Sequence, residues 1–239
     1  MTVVSIRAED FSIEFPIYEN SERSLKNLML RRSVGGFIRN TPKQRQSVVG
    51  ISNVTFELRP GDRVALLGHN GSGKTTLLRA LAGVYAPSAG QLLVNGNITS
   101  LLDVSMGLDP DASGYENIFI RGVLNGSSSK EVADQVEAIA DFSELGEYLG
   151  LPVRTYSSGM MLRLAFAMST HNVADIILMD EWLSVGDQAF MQKAERRLQE
   201  MVSSAAILVI ATHDQSLAER ICNRSFYLEA GKIIREERN

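Results

Sequence analysis

The sequence has a single cysteine, no long apolar run and an opening unlike a targeting segment. Its 239 residues include one cysteine, Cys222, so no internal disulfide can form and we expect a reducing, cytoplasmic setting. No run of 18 uninterrupted apolar residues occurs, so no segment is expected to span a bilayer. The opening, MTVVSIRAEDFSIEF, carries acidic side chains where a signal peptide needs basic residues and then an apolar stretch.

Charge is distributed unevenly along the chain. The net charge of −4 is mild and argues against a protein that coats nucleic acid. Residues 21–46 nevertheless carry seven basic side chains and one acidic one. Within them, residues 21–32 (SERSLKNLMLRR) predict a short basic amphipathic helix, and residues 33–46 predict a linker. The helix could contact anionic lipid headgroups or a membrane partner, or it could pack its apolar stripe on its own domain.

The strongest motif is a glycine-rich loop, GHNGSGKTT, at residues 68–76. It lies between a strand-like run and a helix-like run, and it fills every fixed position of G-x-x-x-x-G-K-[ST]. Such a loop turns its N–H groups inward, toward the positive end of the following helix. We expect Lys74 to neutralise the β- and γ-phosphates and the Thr75 hydroxyl to hold Mg²⁺. The nucleotide-binding residues predicted here are Gly68, His69, Asn70, Gly71, Ser72, Gly73, Lys74, Thr75 and Thr76.

Two acidic residues, Asp180 and Glu181, follow the apolar run at residues 174–179. The carboxyl edge of a parallel sheet is where such folds place their ligands. We therefore expect Asp180 to join Thr75 in holding Mg²⁺, and Glu181 to orient or deprotonate the attacking water. Strand alternation predicts that the two carboxylates point to different sides of the sheet.

A third motif, YSSGMMLR at residues 156–163, opens an apolar helix with two serines and a glycine. Hydroxyls and free N–H groups at a helix N-terminus can bind an anion. The residues alone favour the simpler interpretation, which is a plain N-cap.

Strand-like and helix-like segments alternate after the glycine-rich loop, which predicts an α/β fold with a mostly parallel sheet and helices on its faces. The spacing of apolar residues predicts that the middle of the chain is mainly helical. We expect a single domain over 1–239, with N-terminal strands, helix and linker over 1–47, a catalytic core over 48–102 and 156–239, and a helical subdomain over about 103–155.

In this order the motifs resemble those of the ATP-binding subunits of ABC transporters. GHNGSGKTT resembles Walker A, IILMDE resembles Walker B with its catalytic glutamate, and YSSGM stands where the family has its LSGGQ signature. Ser184–Asp187 resembles the D-loop, and His213 after the next strand resembles the switch histidine. The match covers about residues 48–235. It implies a P-loop NTPase fold of ABC type, with an antiparallel β-subdomain beside the core sheet and a helical subdomain that touches membrane subunits.

The resemblance narrows to ATPases that export cell-surface polysaccharides such as O-antigen, capsule and teichoic acid. It rests on YSSGM followed by MLRLAFA, on DEWLSVGD after Walker B, and on the basic helical insertion before the Walker A strand. Some O-antigen members carry a further C-terminal carbohydrate-binding domain. This sequence stops at Asn239 and is similar to members without one.

Some positions depart from the family pattern. Ser158 and Met160 replace the first glycine and the glutamine of the signature. Ser157 and Gly159 keep the positions that the resemblance assigns to the γ-phosphate. Residues 103–104 (DV) stand near the point where the family has its Q-loop glutamine, so another residue or water would take that role.

The aromatic residue that stacks on adenine is not fixed by the sequence. Phe15 and Tyr18 are both candidates, and either could equally be a packing residue. Each ring could contact the adenine base, or it could pack in the core.

The resemblance implies a homodimer in which two copies enclose two ATP molecules head to tail. The γ-phosphate would meet Lys74 of one copy and Ser157 and Gly159 of the other. His213 would contact the γ-phosphate and position the water with Glu181. Hydrolysis would reopen the pair and move a separate transmembrane permease, which places the protein peripherally on the cytoplasmic face of a bacterial inner membrane.

Three functions fit the motifs. The first is the ATPase of a polysaccharide exporter, with ATP and Mg²⁺ as ligands. The second is an ABC ATPase of another lipid or solute transporter, whose motifs would be nearly the same. The third is an ABC ATPase that acts on nucleic acid; such proteins usually carry two cassettes or long coiled coils, whereas this sequence has one Walker A and no heptads. We therefore expect no nucleic-acid partner.

Overall fold

The computed structural model describes residues 3–17, 37–40, 46–102, 107–172, 174–181 and 188–238. Four sequence-based predictions lie outside the described residues: the basic segment 21–32, Tyr18, the Q-loop position 103–104 and the D-loop Ser184–Asp187. The chain divides into two units, the first with residues 1–98, 175–182 and 206–239, and the second with residues 99–174 and 183–205.

Strands and helices alternate along the described chain. The strands are β1 Ser5–Ile17, β2 Phe37–Asn40, β3 Gln46–Leu58, β4 Arg63–Leu67, β5 Ala89–Asn95, β6 Ile98–Leu101, β7 Ile176–Asp180, β8 Ile207–Ala211, β9 Arg224–Glu229 and β10 Lys232–Arg238. The helices are α1 Lys74–Leu81, α2 Gly114–Leu124, α3 Ser129–Ser143, α4 Ser158–Ser169, α5 Gln188–Ser204 and α6 Gln215–Ile221. Two short 3₁₀ helices, Gly146–Gly150 and Val153–Thr155, lie between α3 and α4.

An antiparallel sheet in the first unit has the strand order β2-β3-β1-β5. Strand β1 pairs with β3 from Ile6 opposite Leu58 to Ile17 opposite Gln46, with register shifts between Ala8 and Glu14. The inward residues of β1 are fully or almost fully buried: Ile6, Ala8, Phe11 and Ile13. Alternation along β1 therefore gives this sheet one buried face.

The linker prediction for residues 33–46 is wrong at Phe37–Asn40, because these residues form β2. Strand β2 pairs antiparallel with β3, from Phe37 opposite Val49 to Asn40 opposite Gln46. A partner strand supplies backbone hydrogen bonds that local sequence patterns do not reveal. The glycine and proline punctuation on which the linker prediction rested flanks the strand without preventing it.

The core sheet of the first unit contains the strand order β10-β9-β4-β8-β7. Strand β4 pairs in parallel with β8 and β9, and β8 pairs in parallel with β7. Only the closing hairpin of β9 and β10 is antiparallel among these pairs. Parallel pairing brings the carboxyl ends of β4, β7 and β8 to one edge of the sheet, and the glycine-rich loop, Asp180 and Thr212 follow or end these strands.

The second unit is helical, and its helices begin at residues that the sequence marks well. The Ser113 hydroxyl accepts a hydrogen bond from the Glu116 N–H at the start of α2, and Ser128 and Glu131 form the same capping box at the start of α3. The core of the unit includes Ile118, Ile139, Leu145, Leu149, Leu164 and Ala167. None of the helices in the described part of the chain combines the length and apolar character needed to cross a bilayer.

The second unit extends beyond the helical segment 103–155, because α4 and α5 join it. Three phenylalanines connect these helices: Phe142 at the end of α3, Phe166 in α4 and Phe190 in α5. Their ring centroids lie 5.9 to 6.1 Å apart in stacked and edge-to-face pairs. Aromatic pairs at this distance stabilise the contact between the three helices beyond the area that they bury.

Candidate functional site

The glycine-rich loop leaves β4 and enters α1 with an exposed set of backbone N–H groups. Gly73 caps α1 in the left-handed region at φ 109°, and no side chain caps that end of the helix. A β-carbon at Gly73 would lie 2.8 Å from the Gly50 carbonyl oxygen, so only glycine fits there. The first turn of α1 therefore keeps its N–H groups available to an anion.

Lys74 folds back over the loop that precedes it. Its Nζ donates hydrogen bonds to the Gly68 carbonyl at 2.7 Å and to the His69 carbonyl at 3.1 Å. The Ser72 hydroxyl inside the same loop is buried and has no hydrogen-bond partner among the described residues. The loop fits a polyphosphate through other groups, because the Lys74 ammonium and the uncapped start of α1 lie in the wall of one cavity.

Thr75 and Asp180 are in direct contact. The Thr75 hydroxyl donates to Asp180 Oδ2 at 2.7 Å, which joins the first turn of α1 to the last residue of β7. A hydroxyl and a carboxylate are hard oxygen ligands of the kind that Mg²⁺ binds together with substrate phosphates. No group of three or more His, Cys, Asp or Glu side chains in the described chain could hold a metal alone.

Glu181 and His213 are also in contact, through Glu181 Oε1 and His213 Nδ1. Glu181 has φ 74°, in the left-handed region, and its N–H donates to the Ala211 carbonyl at 2.8 Å. Strand β7 ends at Asp180, so the prediction that alternation separates the two carboxylates is wrong. Both carboxylates line one cavity because the backbone turns at Glu181.

The position of His213 is set by the helix that follows it. Asp214 is the N-cap of α6, and its carboxylate accepts from the Ser216 and Leu217 N–H groups. The hydrogen bond from the Ser216 hydroxyl, followed by that from the Leu217 N–H, lowers the pKa of Asp214 below its usual value. Asp214 therefore stabilises the first turn of α6, which begins directly after the His213–Asp214 pair.

A cavity of about 990 Å³ in the first unit collects most of the predicted site residues. These are Phe15, Gly68, His69, Asn70, Gly71, Gly73, Lys74, Thr75, Thr76, Asp180, Glu181 and His213. Ser72 lies within the loop but does not line the cavity. The volume of this cavity is within the range of sites that enclose a small ligand.

Four residues of the cavity wall were not predicted: Val48, Val49, Gly50 and Ala211. The signal for Gly50 was present, because a glycine inside a strand often marks a close approach. A β-carbon there would lie 2.9 Å from both Phe15 Cε2 and Thr76 Cγ2. Phe15 also meets the Tyr85 ring edge-on, with centroids 5.1 Å apart. Phe15 is therefore both a packing residue and part of the cavity wall.

Ser157 and Gly159 lie in a second cavity, of about 630 Å³, which belongs to the second unit. Ser157 is the N-cap of α4, and its hydroxyl accepts from the Met160 N–H at 3.2 Å. The plain N-cap interpretation therefore describes the present contact of Ser157. The rest of the cavity wall is Glu144, Leu145, Tyr148, Ser158, Met160, Leu162 and Arg163.

Comparisons with known proteins agree with these motifs. A family model described as ABC transporter matches residues 51–184. The chain is 42% identical over 234 residues to the O-antigen export system ATP-binding protein RfbE of Yersinia enterocolitica, covering 98% of each protein. It is 32% identical over 230 residues to the teichoic acids export ATP-binding protein TagH of Listeria innocua, covering 96% of this chain and 66% of that one.

One further curated relative and one solved structure complete the comparison. The O-antigen export system ATP-binding protein RfbB of Myxococcus xanthus is 40% identical over 188 residues, which cover 79% of this chain and 43% of that protein. A dimeric structure of the ATP-binding cassette MJ0796 bound to ADP and Pi has a TM-score of 0.68 at 20% identity, covering 98% of each chain. That structural likeness concerns the fold.

Proposed function

The chain belongs to the ABC transporter family, and from this we propose that it is the ATP-hydrolysing subunit of a transporter that exports a lipid-linked cell-surface polysaccharide. The ATPase activity follows from the family. The polysaccharide substrate is inferred from the names of the relatives, which are O-antigen export proteins in Yersinia and Myxococcus and a teichoic acids export protein in Listeria. The observation that best supports ATP hydrolysis at this site is the contact between Thr75 and Asp180. It lies in the cavity that is also lined by Glu181 and His213.

In this proposal the glycine-rich loop and α1 bind the triphosphate. The free N–H groups at the start of α1 and the Lys74 ammonium face the phosphate charge. Thr75 and Asp180 hold Mg²⁺, which when bound neutralises charge on the phosphates. Phe15 provides an apolar ring at the cavity wall for the base, backed by Tyr85.

Glu181 and His213 act on the attacking water. The Glu181 carboxylate accepts the proton of the water, and His213, in contact with Glu181 Oε1, fixes the orientation of that carboxylate. The turn at Glu181 presents its carboxylate beside Asp180 at the same cavity. The strained backbone at this residue is typical of a position where function determines the geometry.

Two copies form the working unit. The second cavity, with Ser157 and Gly159 at the start of α4, offers hydroxyl and N–H groups to the γ-phosphate of ATP bound in the first cavity of another copy. Each ATP is thereby enclosed by two chains in an isologous pair. ATP binding joins the copies and hydrolysis releases them.

The partner in the membrane is a permease, and α2 offers a surface for it. Tyr115, Phe119 and Val123 lie four residues apart on this helix and are 41 to 46% exposed. Ile120 and Leu124 extend the same apolar surface. An exposed apolar patch of this kind marks an interaction site. The protein would act peripherally, on the cytoplasmic face of the membrane.

Replacing the proposed base tests the catalytic part. Glu181→Gln keeps the size and polarity of the side chain but cannot accept the proton. We expect ATP hydrolysis to fall by about a hundredfold or more, while ATP binding remains. Glu195→Gln, an exposed acid on α5, is the matched control and should hydrolyse ATP like the unmodified chain. Hydrolysis by Glu181→Gln at nearly the unmodified rate would refute the role of Glu181.

Isolation from the native membrane tests the polysaccharide part. We expect a polytopic permease and a lipid-linked sugar to be recovered with the protein after mild detergent extraction. Recovery with the permease of a different lipid or solute transporter would instead favour an ABC ATPase that serves that transporter. A mobility-shift assay that shows salt-sensitive binding of nucleic acid would favour an ABC ATPase that acts on nucleic acid.

A further inference from the structure

The carboxylate of Glu144 connects two cations from two different helices. Its Oε1 accepts a hydrogen bond from Lys193 Nζ of α5 at 2.7 Å. Its Oε2 lies 3.6 Å from Arg163 Nη1 of α4. Arg163 and Lys193 are mostly buried at their side chains, with 18% and 32% exposed. One carboxylate therefore compensates two partly desolvated positive charges.

Both cations are also held against aromatic rings. Arg163 Cζ lies 4.8 Å from the centroid of the Phe190 ring, and Lys193 Nζ lies 4.7 Å from that of Phe142. Lys193 Nζ donates in addition to the Phe142 carbonyl at 3.0 Å, at the end of α3. These contacts leave the two cations little freedom, so the position of Glu144 and the positions of α4 and α5 are coupled.

The backbone of Glu144 is one in which glycine is usual. The residue caps α3 in the left-handed conformation, with φ 57° and ψ 28°. Helices commonly end with glycine in this conformation because a β-carbon is unfavourable there. A strained residue whose side chain bridges two helices is a candidate for a functional constraint.

Glu144 lies in the wall of the second cavity. It shares that wall with Arg163 and with the first turn of α4, which includes Ser157 and Gly159. Glu144 thus contacts α5 through Lys193 and shares a cavity wall with the groups proposed to receive ATP from another copy.

We propose that Glu144 is a positioning residue for this cavity: it fixes Arg163 and the first turn of α4 so that they accept the triphosphate bound to a second copy. It acts through Arg163 and Lys193. Without the carboxylate, the repulsion between the two cations is no longer compensated by Glu144, and α4 and α5 lose one of the contacts between them. This inference rests on the proposed function, because it concerns the cavity that ATP joins between copies.

Dimerisation of the Glu181→Gln protein provides the assay. The ATP concentration at which half of the protein is dimeric is measured by sedimentation in Mg²⁺. Two variants are added to this background: Glu144→Gln removes the charge at nearly constant shape, and Glu144→Gly removes the side chain and relieves the left-handed backbone. We expect both to raise the half-dimerisation concentration about fivefold or more. Glu144→Asp should restore part of the loss.

Two further readouts separate positioning from a structural role. The affinity of the single copy for a fluorescent ADP analogue, which binds in the first cavity, should not change. The thermal midpoints of both variants are measured as well, and dimerisation is compared at a temperature at which every variant is folded. A merely structural role would weaken binding of the ADP analogue together with dimerisation, and that result would overturn the inference.

Glu147→Gln is the matched control, since it removes the same charge from an exposed position that does not line the cavity. It should dimerise at the reference ATP concentration. If Glu144→Gln and Glu144→Gly also dimerise at that concentration, the inference fails while the proposed function stands. If the reference stays monomeric at saturating ATP, the proposed function fails first.

Discussion

The hydroxyl of Thr75 donates a hydrogen bond of 2.7 Å to Asp180, although 105 residues separate them in the chain. Thr75 belongs to the loop–helix motif and Asp180 to the strand-end motif, and the sequence predicts that the two hold Mg²⁺ together. Parallel strands bring both motifs to one edge of the core sheet. Their contact therefore joins the phosphate-binding part of the cavity to its acidic part.

Asp180 and Thr75 should control the dependence on magnesium. Asp180→Asn removes the charge that would hold the metal, and we expect hydrolysis at saturating ATP to fall by about a hundredfold. Thr75→Ser keeps the hydroxyl and should retain most of the activity. The measurement is the hydrolysis rate as a function of Mg²⁺ concentration. Activity of Asp180→Asn close to that of Thr75→Ser would contradict the assignment of Asp180.

Gly50 should affect nucleotide affinity through its contact with Phe15. A β-carbon at Gly50 would lie 2.9 Å from both Phe15 and Thr76, so Gly50→Ala must displace the ring, the threonine or the strand. We expect the KM for ATP to rise by roughly threefold to tenfold, with kcat changed less. Gly150→Ala is the control, because nothing lies within 4 Å of a β-carbon there. An unchanged KM for both Gly50→Ala and Phe15→Ala would exclude Phe15 from base binding.

The capping box of α2 should make stability depend on pH. The Glu116 carboxylate accepts from the Ser113 N–H and hydroxyl, and these hydrogen bonds lower its pKa below 4.5. The charged form therefore stabilises the folded state above pH 4.5, and this contribution is lost as the pH falls through the lowered pKa. Urea unfolding should show Glu116→Gln less stable than the unmodified chain at pH 7, with the difference shrinking below pH 4.5. A difference that does not vary with pH would contradict this.

Arg224 should be important for the stability of the first unit. Its side chain is 7% exposed; it pairs with Glu236 at 2.7 Å and donates to the Glu57 carbonyl at 2.8 Å. Arg224→Ala leaves these acceptors without their cation and should lower the free energy of unfolding by about 3 kcal/mol. Arg235→Ala, at a position that is 63% exposed, should cost less than about 1 kcal/mol. Equal losses in urea unfolding would show that burial of Arg224 is unimportant.

Local signals in the sequence predicted the elements that depend on local chemistry. Helix α2 lies in the segment predicted to be mainly helical, and it begins after Ser113 because Ser113 and Glu116 form a capping box. The buried strand β7 follows from the apolar run at residues 174–179, as parallel sheets require. The glycine-rich loop was recognisable because its spacing is specific.

Features that depend on distant contacts were not predictable in the same way. Strand β2 exists because β3 is available to pair with it, and no periodicity over Phe37–Asn40 shows that. The turn at Glu181 has a left-handed backbone that glutamate rarely adopts, so alternation was the reasonable but wrong assumption. Glu144 belongs to no sequence motif. It contacts Arg163 and Lys193 only because the helices pack together.

The central claim is that ATP is enclosed by the glycine-rich loop of one copy and the start of α4 of another. Two Glu181→Gln proteins of different size test it, one carrying Asn70→Cys and the other Ser158→Cys. The native Cys222 is buried with its pKa raised to about 12, so it should not react with a thiol cross-linker. The account predicts a cross-linked heterodimer that requires ATP and Mg²⁺. The absence of that product at saturating ATP would contradict the account.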